Sequence, residues 1–132
     1  MAISGDIEGK CWVDINQKGG TTVRDCYLFI LYILNSIGEG TPQRRRLFTM
    51  DNLMAHKDPA ILQLIHAWGH RVCFRAPYYP VDGAIEYVFN TVQQDITIRL
   101  HQIKNGADLY RELRDSISGI PNFIGYFLNL QY

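Results

Sequence analysis

Two carboxylates lie at positions where a phosphoryl-transfer site could form. Asp51 follows the apolar run Leu47–Met50, and Glu86 opens a long helical pattern. Mg²⁺ prefers oxygen ligands held on rigid elements, and a pair of such ions can activate a nucleophile and stabilise the leaving oxygen of a phosphate ester. Asp51 and Glu86 are therefore candidate catalytic and metal-ligating residues for Mg²⁺ or Mn²⁺. Composition alone favours a simpler interpretation, in which Asp51 caps a loop and Glu86 interacts with a helix dipole.

Other side chains around these carboxylates could contact a substrate. The candidates are Asn52, His56, Arg44, Arg45, Arg46 and Tyr78. The arginine run could meet a phosphate backbone, and Tyr78 could stack on a base. The structural alternatives are a solvated charge run, a hydrogen-bonding histidine and a tyrosine that packs beside proline. Asp82 could supply a substitute ligand, although an Asp before Gly is typical of a turn.

The cysteines and the remaining histidines indicate no separate metal site. The chain has 3 cysteines, at positions 11, 26 and 73, and no Cys-x-x-Cys motif. His66 and His70 have a helical metal-binding spacing, but no third ligand lies between them and Gly69 would fray the turn. Free thiols predict a reducing, intracellular compartment, which would be the nucleus if the protein is eukaryotic and still associated with DNA.

Length and charge set the class of protein. A chain of 132 residues with 47% hydrophobic and 20% charged residues is predicted to form one globular domain, over residues 1–132. The 13 basic and 13 acidic residues cancel, which argues against strong affinity for DNA. No charged start precedes an apolar block, and the longest apolar stretch, Cys26–Leu34, is too short to span a bilayer.

Apolar periodicity predicts a chain that alternates strands and helices. Strands are predicted at 2–4, 10–15, 47–50 and 71–75, and helices at 22–37, 58–68, 83–103 and 107–118, with a short terminal helix within 120–132. The order β-β-α-β-α-β-α-α predicts an α/β fold with a mixed sheet flanked by helices. Thr22 and Asp25 have the spacing of a capping box, and Pro59 suits the first position of a helix.

The pattern also predicts which faces are buried. The run 47–50 is predicted to be a buried parallel strand, and residues Cys11, Val13 and Ile15 the inner face of a half-buried one. The long third helix is predicted to bury Ile85, Phe89, Val92, Ile96, Leu100 and Ile103.

Two segments resemble the catalytic core of the mariner-type DDE transposases and of the bacterial DDE endonucleases of the same superfamily. The first is Asp51-Asn52-Leu53-Met54-Ala55-His56, and the second is Pro77-Tyr78-Tyr79-Pro80-Val81-Asp82-Gly83-Ala84-Ile85-Glu86. The family places an Asp-Asn-x-x-x-His segment at a strand end and a Pro-Tyr-Ser-Pro-x-x-Asn-Pro-Ile-Glu segment at a helix start, at a similar separation. The resemblance implies a ribonuclease H-like fold, metal ligation by Asp51 and Glu86, and DNA as the ancestral substrate.

The chain departs from the family pattern at its start. The family carries a third carboxylate on the first strand, whereas Met1–Gly5 resembles the second strand, and Asp6 and Asp14 fall elsewhere. Gly83-Ala84 replaces the usual Asn-Pro. Because the first strand of such a sheet is central, its absence predicts a rearranged sheet, a partner chain or second copy that covers the gap, or a longer parent protein.

Three functions follow from these observations. The chain is a metal-dependent DNA endonuclease or strand-transfer core, a domesticated non-catalytic subunit of a larger assembly, or a DNA-binding relic. The missing carboxylate, the neutral charge and the lack of a helix-turn-helix region favour a transposase-derived domain that is inactive as this chain alone.

Overall fold

The computed structural model describes residues 1–5, 9–16, 19–76, 83–120 and 123. Within them, the strands are β1 (Ala2–Ile3), β2 (Cys11–Trp12), β3 (Leu47–Met50) and β4 (Arg71–Phe74), and the α-helices are α1 (Val23–Ile37), α2 (Pro59–Ala67), α3 (Ala84–Ile98) and α4 (Gly106–Ser118). Short 3₁₀ helices cover Met54–Lys57 and Leu100–Gln102. The predicted mixed α/β class is confirmed.

The chain divides into two compact units. Asn16–Tyr79 forms one of them, which we call the central unit. Met1–Ile15 and Pro80–Tyr132 together form the other, which we call the split unit because two separate chain segments build it. The described residues contain two two-stranded sheets, one in each unit, in place of the single mixed sheet that the sequence predicts.

In the central unit, α1 begins at the predicted capping box. The Thr22 hydroxyl accepts a hydrogen bond from the Asp25 N–H at 3.2 Å, and the Asp25 carboxylate accepts one from the Thr22 N–H at 2.9 Å. The Thr22 hydroxyl also donates to Asp25 Oδ2 at 2.7 Å, and this bond, followed by the one from the Thr22 N–H, lowers the pKa of Asp25. The helix ends where Gly38 takes a φ of 80° and its N–H donates to the Leu34 carbonyl. Local side-chain chemistry therefore fixes both ends of α1.

The second helix of the central unit also follows its sequence signals. The Asp58 carboxylate accepts a hydrogen bond from the Ala60 N–H at 2.9 Å, and Pro59 occupies the first turn. Gly69, just beyond the helix, has a φ of 83° and approaches Gly40 so closely that a Cβ on Gly69 would lie 2.4 Å from the Gly40 carbonyl oxygen. Only glycine fits this contact, because both the backbone conformation and the space exclude a side chain.

Strands β3 and β4 pair in parallel, with Leu47 opposite Arg71 and Met50 opposite Phe74. Only one face of this pair is covered. Met50 is buried, whereas Leu47 on the other face is 62% exposed, together with Thr49, Arg71 and Cys73. The prediction that Leu47–Met50 is a buried parallel strand is therefore confirmed in its direction and wrong in its burial, since no described strand flanks β3 on its other edge and Leu47 and Thr49 are exposed.

The core of the central unit is aliphatic. Leu34 of α1 and Ile61 and Ile65 of α2 are completely buried, and the remaining buried side chains of α1 are Cys26, Ile30 and Ile33. Complete burial of one such side chain contributes about 1.5–3 kcal/mol. This packing, more than the short sheet, stabilises the unit.

In the split unit, β1 and β2 pair antiparallel, with Ala2 opposite Trp12. Trp12 is buried and Val13, just beyond the strand, is exposed, so the predicted alternation of buried residues at 11, 13 and 15 is wrong at Val13. The core cluster consists of Val88, Val92 and Phe123. Met1, Ile3 and Cys11 pack against it from the N-terminal segment, and burial raises the pKa of the Cys11 thiol.

Helix α3 is shorter and rotated relative to the prediction. It ends at Ile98, followed by the 3₁₀ helix, so the expected continuation to Ile103 is wrong. Its buried residues are Ala84, Val88 and Val92, whereas Phe89 is 44% exposed and Leu100 is 61% exposed. Apolar residues surround this helix on several sides, so periodicity alone could not select the packed face.

Helices α3 and α4 are joined by a charged network that the sequence analysis did not predict. Arg99 Nη1 donates to Oε2 of the buried Glu112 at 2.6 Å, and the same guanidinium also pairs with Asp95. Hydrogen bonding to the buried Ser116 is the main cause of a lowered pKa at Asp95, with Arg99 contributing further. In the sequence, this network is indicated by two spacings of about one helical turn, from Asp95 to Arg99 and from Glu112 to Ser116.

None of the helices in the described ranges is long and apolar enough to cross a membrane.

Candidate functional site

The Asp51 segment lies at the carboxyl edge of the β3–β4 pair. β3 ends at Met50, so Asp51 is the first residue beyond the strand, and the Arg75 N–H opposite donates to the Met50 carbonyl at 2.9 Å. Parallel strands direct their carboxyl ends to one edge, and the loops that leave this edge are where α/β folds commonly place ligands. The position predicted for Asp51 at a strand end is confirmed.

Asp51 and His56 contact each other across the intervening turn. Asp51 Oδ1 accepts a hydrogen bond from the Leu53 N–H at 3.3 Å and lies 2.6 Å from His56 Nδ1. This distance is that of an ion pair, but the geometry is not that of a hydrogen bond. His56 Nδ1 has no hydrogen-bond partner among the described residues. His56 stands on the 3₁₀ helix that follows, which places its ring against the carboxylate. The Asp51 side chain remains 56% exposed, and a ligand could therefore reach it.

Asn52 has a structural role in this arrangement. Its side-chain amide donates to the Arg75 carbonyl, which ties the exit of β3 to the exit of β4. A donor used in this way holds the two loops together at the strand ends. Of these two neighbours, Asp51 exposes its carboxylate to solvent, and Asn52 uses its amide to bind the backbone.

The negative charge of Asp51 acts on a thiol of the neighbouring helix. Burial, and secondly the charge of Asp51, raise the pKa of Cys26 on α1. At the end of β4, the Lys57 ammonium lies 5.9 Å from the centre of the Phe74 ring. The carboxylate therefore interacts electrostatically with a side chain of α1 within the central unit.

Glu86 belongs to the split unit and lies in the first turn of α3. Gly83 is the N-cap residue, without a side-chain cap, and the Glu86 N–H donates to the Gly83 carbonyl at 2.9 Å. Gly83 and Ala84 are buried, and Glu86 is half-buried. The predicted position of Glu86 at a helix start is confirmed, and the helix dipole favours a carboxylate there.

The arginine run does not share an edge with Asp51. Arg44, Arg45 and Arg46 precede β3, whereas Asp51 follows it, so the strand Leu47–Met50 separates them. Four strand residues span about 10–13 Å. The arginines and the carboxylate are therefore two separate features of the central unit. Tyr78, Tyr79 and Asp82 lie outside the described residues.

His70 is a structural residue with both ring nitrogens engaged. Nδ1 accepts a hydrogen bond from the Arg46 N–H at 3.1 Å, and Nε2 lies 2.8 Å from the Gly38 carbonyl oxygen, to which it donates. The ring is buried and contacts Phe48. These bonds use the neutral tautomer completely, so His70 cannot join His66 in binding a metal.

The described residues of each unit offer too few ligands for a magnesium cage. No group of three or more His, Cys, Asp or Glu side chains with metal-binding geometry occurs in the described ranges. Asp51 contributes one carboxylate, and its neighbour His56 is a nitrogen donor that Mg²⁺ disfavours. The residues of the central unit alone therefore do not fit the predicted metal.

Comparison of the chain with protein-family models, with curated proteins and with solved structures finds no match in any of the three. The chain is assigned to no family. The resemblance to DDE transposases consequently rests on the two motif segments of the sequence.

Proposed function

We propose that this chain is a DDE transposase-derived domain, with a ribonuclease H-like ancestry, that does not cut DNA by itself. The observation that carries the proposal is the fold of the Asp51-Asn52-x-x-x-His56 segment. It leaves a parallel strand pair at its carboxyl edge, exposes the carboxylate and turns the histidine back onto it. Glu86 in the first turn of a helix supports the second half of the motif.

The separation of the strands into two pairs supports the same ancestry. An antiparallel pair, β1–β2, precedes a parallel pair, β3–β4, along the chain. A ribonuclease H-like sheet read from its second strand contains these two pairs in this order, joined by the central first strand. A two-stranded parallel pair with one face exposed is unusual, because parallel sheets are normally covered on both faces.

Catalysis by the chain alone is not expected. Two metal ions need several oxygen ligands, and the motif supplies one carboxylate from each unit. A further carboxylate on an added strand would be required before Asp51 and Glu86 could hold Mg²⁺ or Mn²⁺. We therefore assign no chemical step to a metal here, and propose that the chain acts as a subunit that another chain or a second copy completes.

The unpaired edge of β3 supports a role as an interaction subunit. Backbone N–H and C=O groups along this edge have no described strand to pair with, and each such group that becomes buried without a partner costs about 1–3 kcal/mol. An added strand would satisfy them and cover exposed Leu47. This second candidate, a domesticated non-catalytic subunit, shares its ancestry with the first.

Nicking of supercoiled DNA in Mg²⁺ or Mn²⁺ tests activity. We expect the purified chain, Asp51→Ala and Glu86→Ala to give the same background, as should Glu39→Gln, an exposed acid of the central unit. Cutting by the wild type and by Glu39→Gln, but by neither alanine variant, would show that the chain is an active enzyme. If all four proteins cut DNA, the cleavage does not depend on the carboxylates of Asp51 and Glu86.

Paramagnetic broadening by Mn²⁺ tests whether the two carboxylates share an ancestral cleft. If they do, amide signals near Asp51 and near Glu86 broaden at the same Mn²⁺ concentrations, and Asp51→Ala weakens both effects. Broadening at only one of the two segments, or two effects that respond independently to Asp51→Ala, contradicts the shared site.

Titration of labelled duplex DNA across salt concentrations measures residual DNA binding, which we expect to be weak because the net charge is zero.

A further inference from the structure

A pocket of about 410 Å³ opens at the amino ends of β3 and β4, on the opposite edge of the pair from Asp51. Its lining residues are Arg45, His66, Gly69, His70, Arg71 and Val72. All of them belong to the central unit. Among the residues that the structure describes, those with charged side chains in this lining are arginines, and no carboxylate is one of them.

Two arginines line this pocket. Arg45 and Arg71 are exposed, and neither forms an ion pair with any residue that the structure describes. Arg99 provides the contrast within the same chain, because Asp95 and Glu112 both pair with its guanidinium. In a protein with a net charge of zero, two guanidinium groups that line one pocket form a local concentration of positive charge.

The floor of the pocket is held in place by backbone hydrogen bonds. His70 bridges Arg46 and Gly38 through its two ring nitrogens. The Gly40 N–H donates to the Trp68 carbonyl at 2.6 Å, and the Arg71 N–H donates to the Arg46 carbonyl at 3.0 Å. Hydrogen bonds therefore hold the backbone at Arg71 and at Arg46, the neighbour of Arg45, before any ligand arrives, which reduces the entropy lost on binding.

We propose that this pocket binds a phosphate group, as a phosphate monoester or as a phosphodiester. Guanidinium groups bind phosphate oxygens through paired, charge-assisted hydrogen bonds, and this planar geometry is more selective than a single ammonium charge. His66, exposed on the last turn of α2, supplies a third nitrogen toward the same space. The site does not depend on the proposed transposase ancestry, since Asp51 lies beyond the far end of β3.

The test is a titration of the full chain, followed through backbone amide signals, with three probes. Inorganic phosphate tests the group itself, a nucleoside 5′-monophosphate tests the monoester, and a short single-stranded oligonucleotide tests the diester. The matching nucleoside, which lacks phosphate, is the negative control. We expect the amides of Gly69, His70 and Arg71 to shift with the phosphate-bearing probes and to stay unchanged with the nucleoside.

Three variants decide whether the pocket is responsible. Arg45→Gln and Arg71→Gln should each weaken binding about tenfold, because each removes a charge-assisted pair of hydrogen bonds. Arg44→Gln, an exposed neighbour that does not line the pocket, should change the affinity less than twofold and is the matched control. Circular dichroism of all three verifies the fold.

The proposal is overturned if Arg44→Gln and Arg45→Gln lose affinity equally, since binding would then reflect diffuse charge. It is also overturned if no phosphate-bearing probe shifts these amides at low salt. A response to the oligonucleotide together with no response to phosphate or the mononucleotide contradicts the monoester and retains only the diester.

Discussion

The central unit and the split unit are stabilised in different ways. The central unit is one continuous segment, in which two helices with side-chain caps bury Leu34, Ile61 and Ile65 completely. The split unit joins two distant segments around a small apolar cluster and a charged network at Arg99. Contacts close in sequence form at a small cost in chain entropy, whereas distant segments must first be brought together. Local sequence signals therefore describe the central unit better than the split unit.

The two tryptophans make this comparison measurable. The chain contains 2 of them, and Trp12 lies in the split unit while Trp68 lies in the central unit. Replacing either one by Phe leaves a single fluorophore that reports on one unit. Denaturant unfolding of each variant in both single-tryptophan backgrounds then gives a separate free energy of unfolding for each unit.

The largest effect is expected from the aliphatic core of the central unit. Leu34→Ala removes a completely buried side chain, and we expect it to lower the free energy of unfolding reported by Trp68 by about 2–5 kcal/mol. Leu28→Ala, on an exposed position of the same helix, is the matched control and should change it by less than about 0.5 kcal/mol. Equal effects of the two variants would contradict the packing of α1.

A backbone contact should matter nearly as much. Gly69→Ala would strain a residue with a φ of 83° and push its Cβ against Gly40. We therefore expect the free energy of unfolding reported by Trp68 to fall by about 3 kcal/mol. Gly20→Ala has open space around it and should be close to neutral. If Gly69→Ala unfolds with the wild-type midpoint, the close approach of the two glycines is wrong.

The charged network should dominate in the split unit. Glu112→Gln removes the buried charge that pairs with Arg99 and leaves Asp95 as its acidic partner, so we expect the free energy of unfolding reported by Trp12 to fall by about 2 kcal/mol. Asp115→Asn, an exposed acid on the same helix, serves as the control. A larger loss at Trp68 than at Trp12 would contradict the assignment of this network to the split unit.

Acid should weaken both units through one aspartate in each. Hydrogen bonds to Thr22 lower the pKa of Asp25, and hydrogen bonding to Ser116 lowers that of Asp95, in both cases from 3.8. A lowered pKa in the folded state gives stability that is present above 3.8 and is lost as the pH falls through the folded-state value. Asp25→Asn should reduce the loss of unfolding free energy at low pH that Trp68 reports. Asp95→Asn should reduce the corresponding loss that Trp12 reports. An unchanged loss at low pH in both variants would contradict these shifts.

The sequence by itself determined the parts of the molecule that depend on near neighbours. The capping box at Thr22, Pro59 in the first turn of α2, and the position of Asp51 directly after an apolar strand all follow from residues within a few positions of one another. Such signals are local, because a cap or a turn satisfies backbone groups of the same segment.

Only the tertiary structure decided what depends on distant partners. It selected Val88 over Phe89 for the packed face of α3, left Leu47 exposed, and placed the arginine run and Asp51 at opposite ends of one strand. Burial of a side chain is set by which other segments reach it, and that information lies in residues far along the chain. The same limit applies to the pocket. The sequence places Arg45 in a charge run that could meet a phosphate backbone, and only the fold brings Arg71 and His66 to the same pocket.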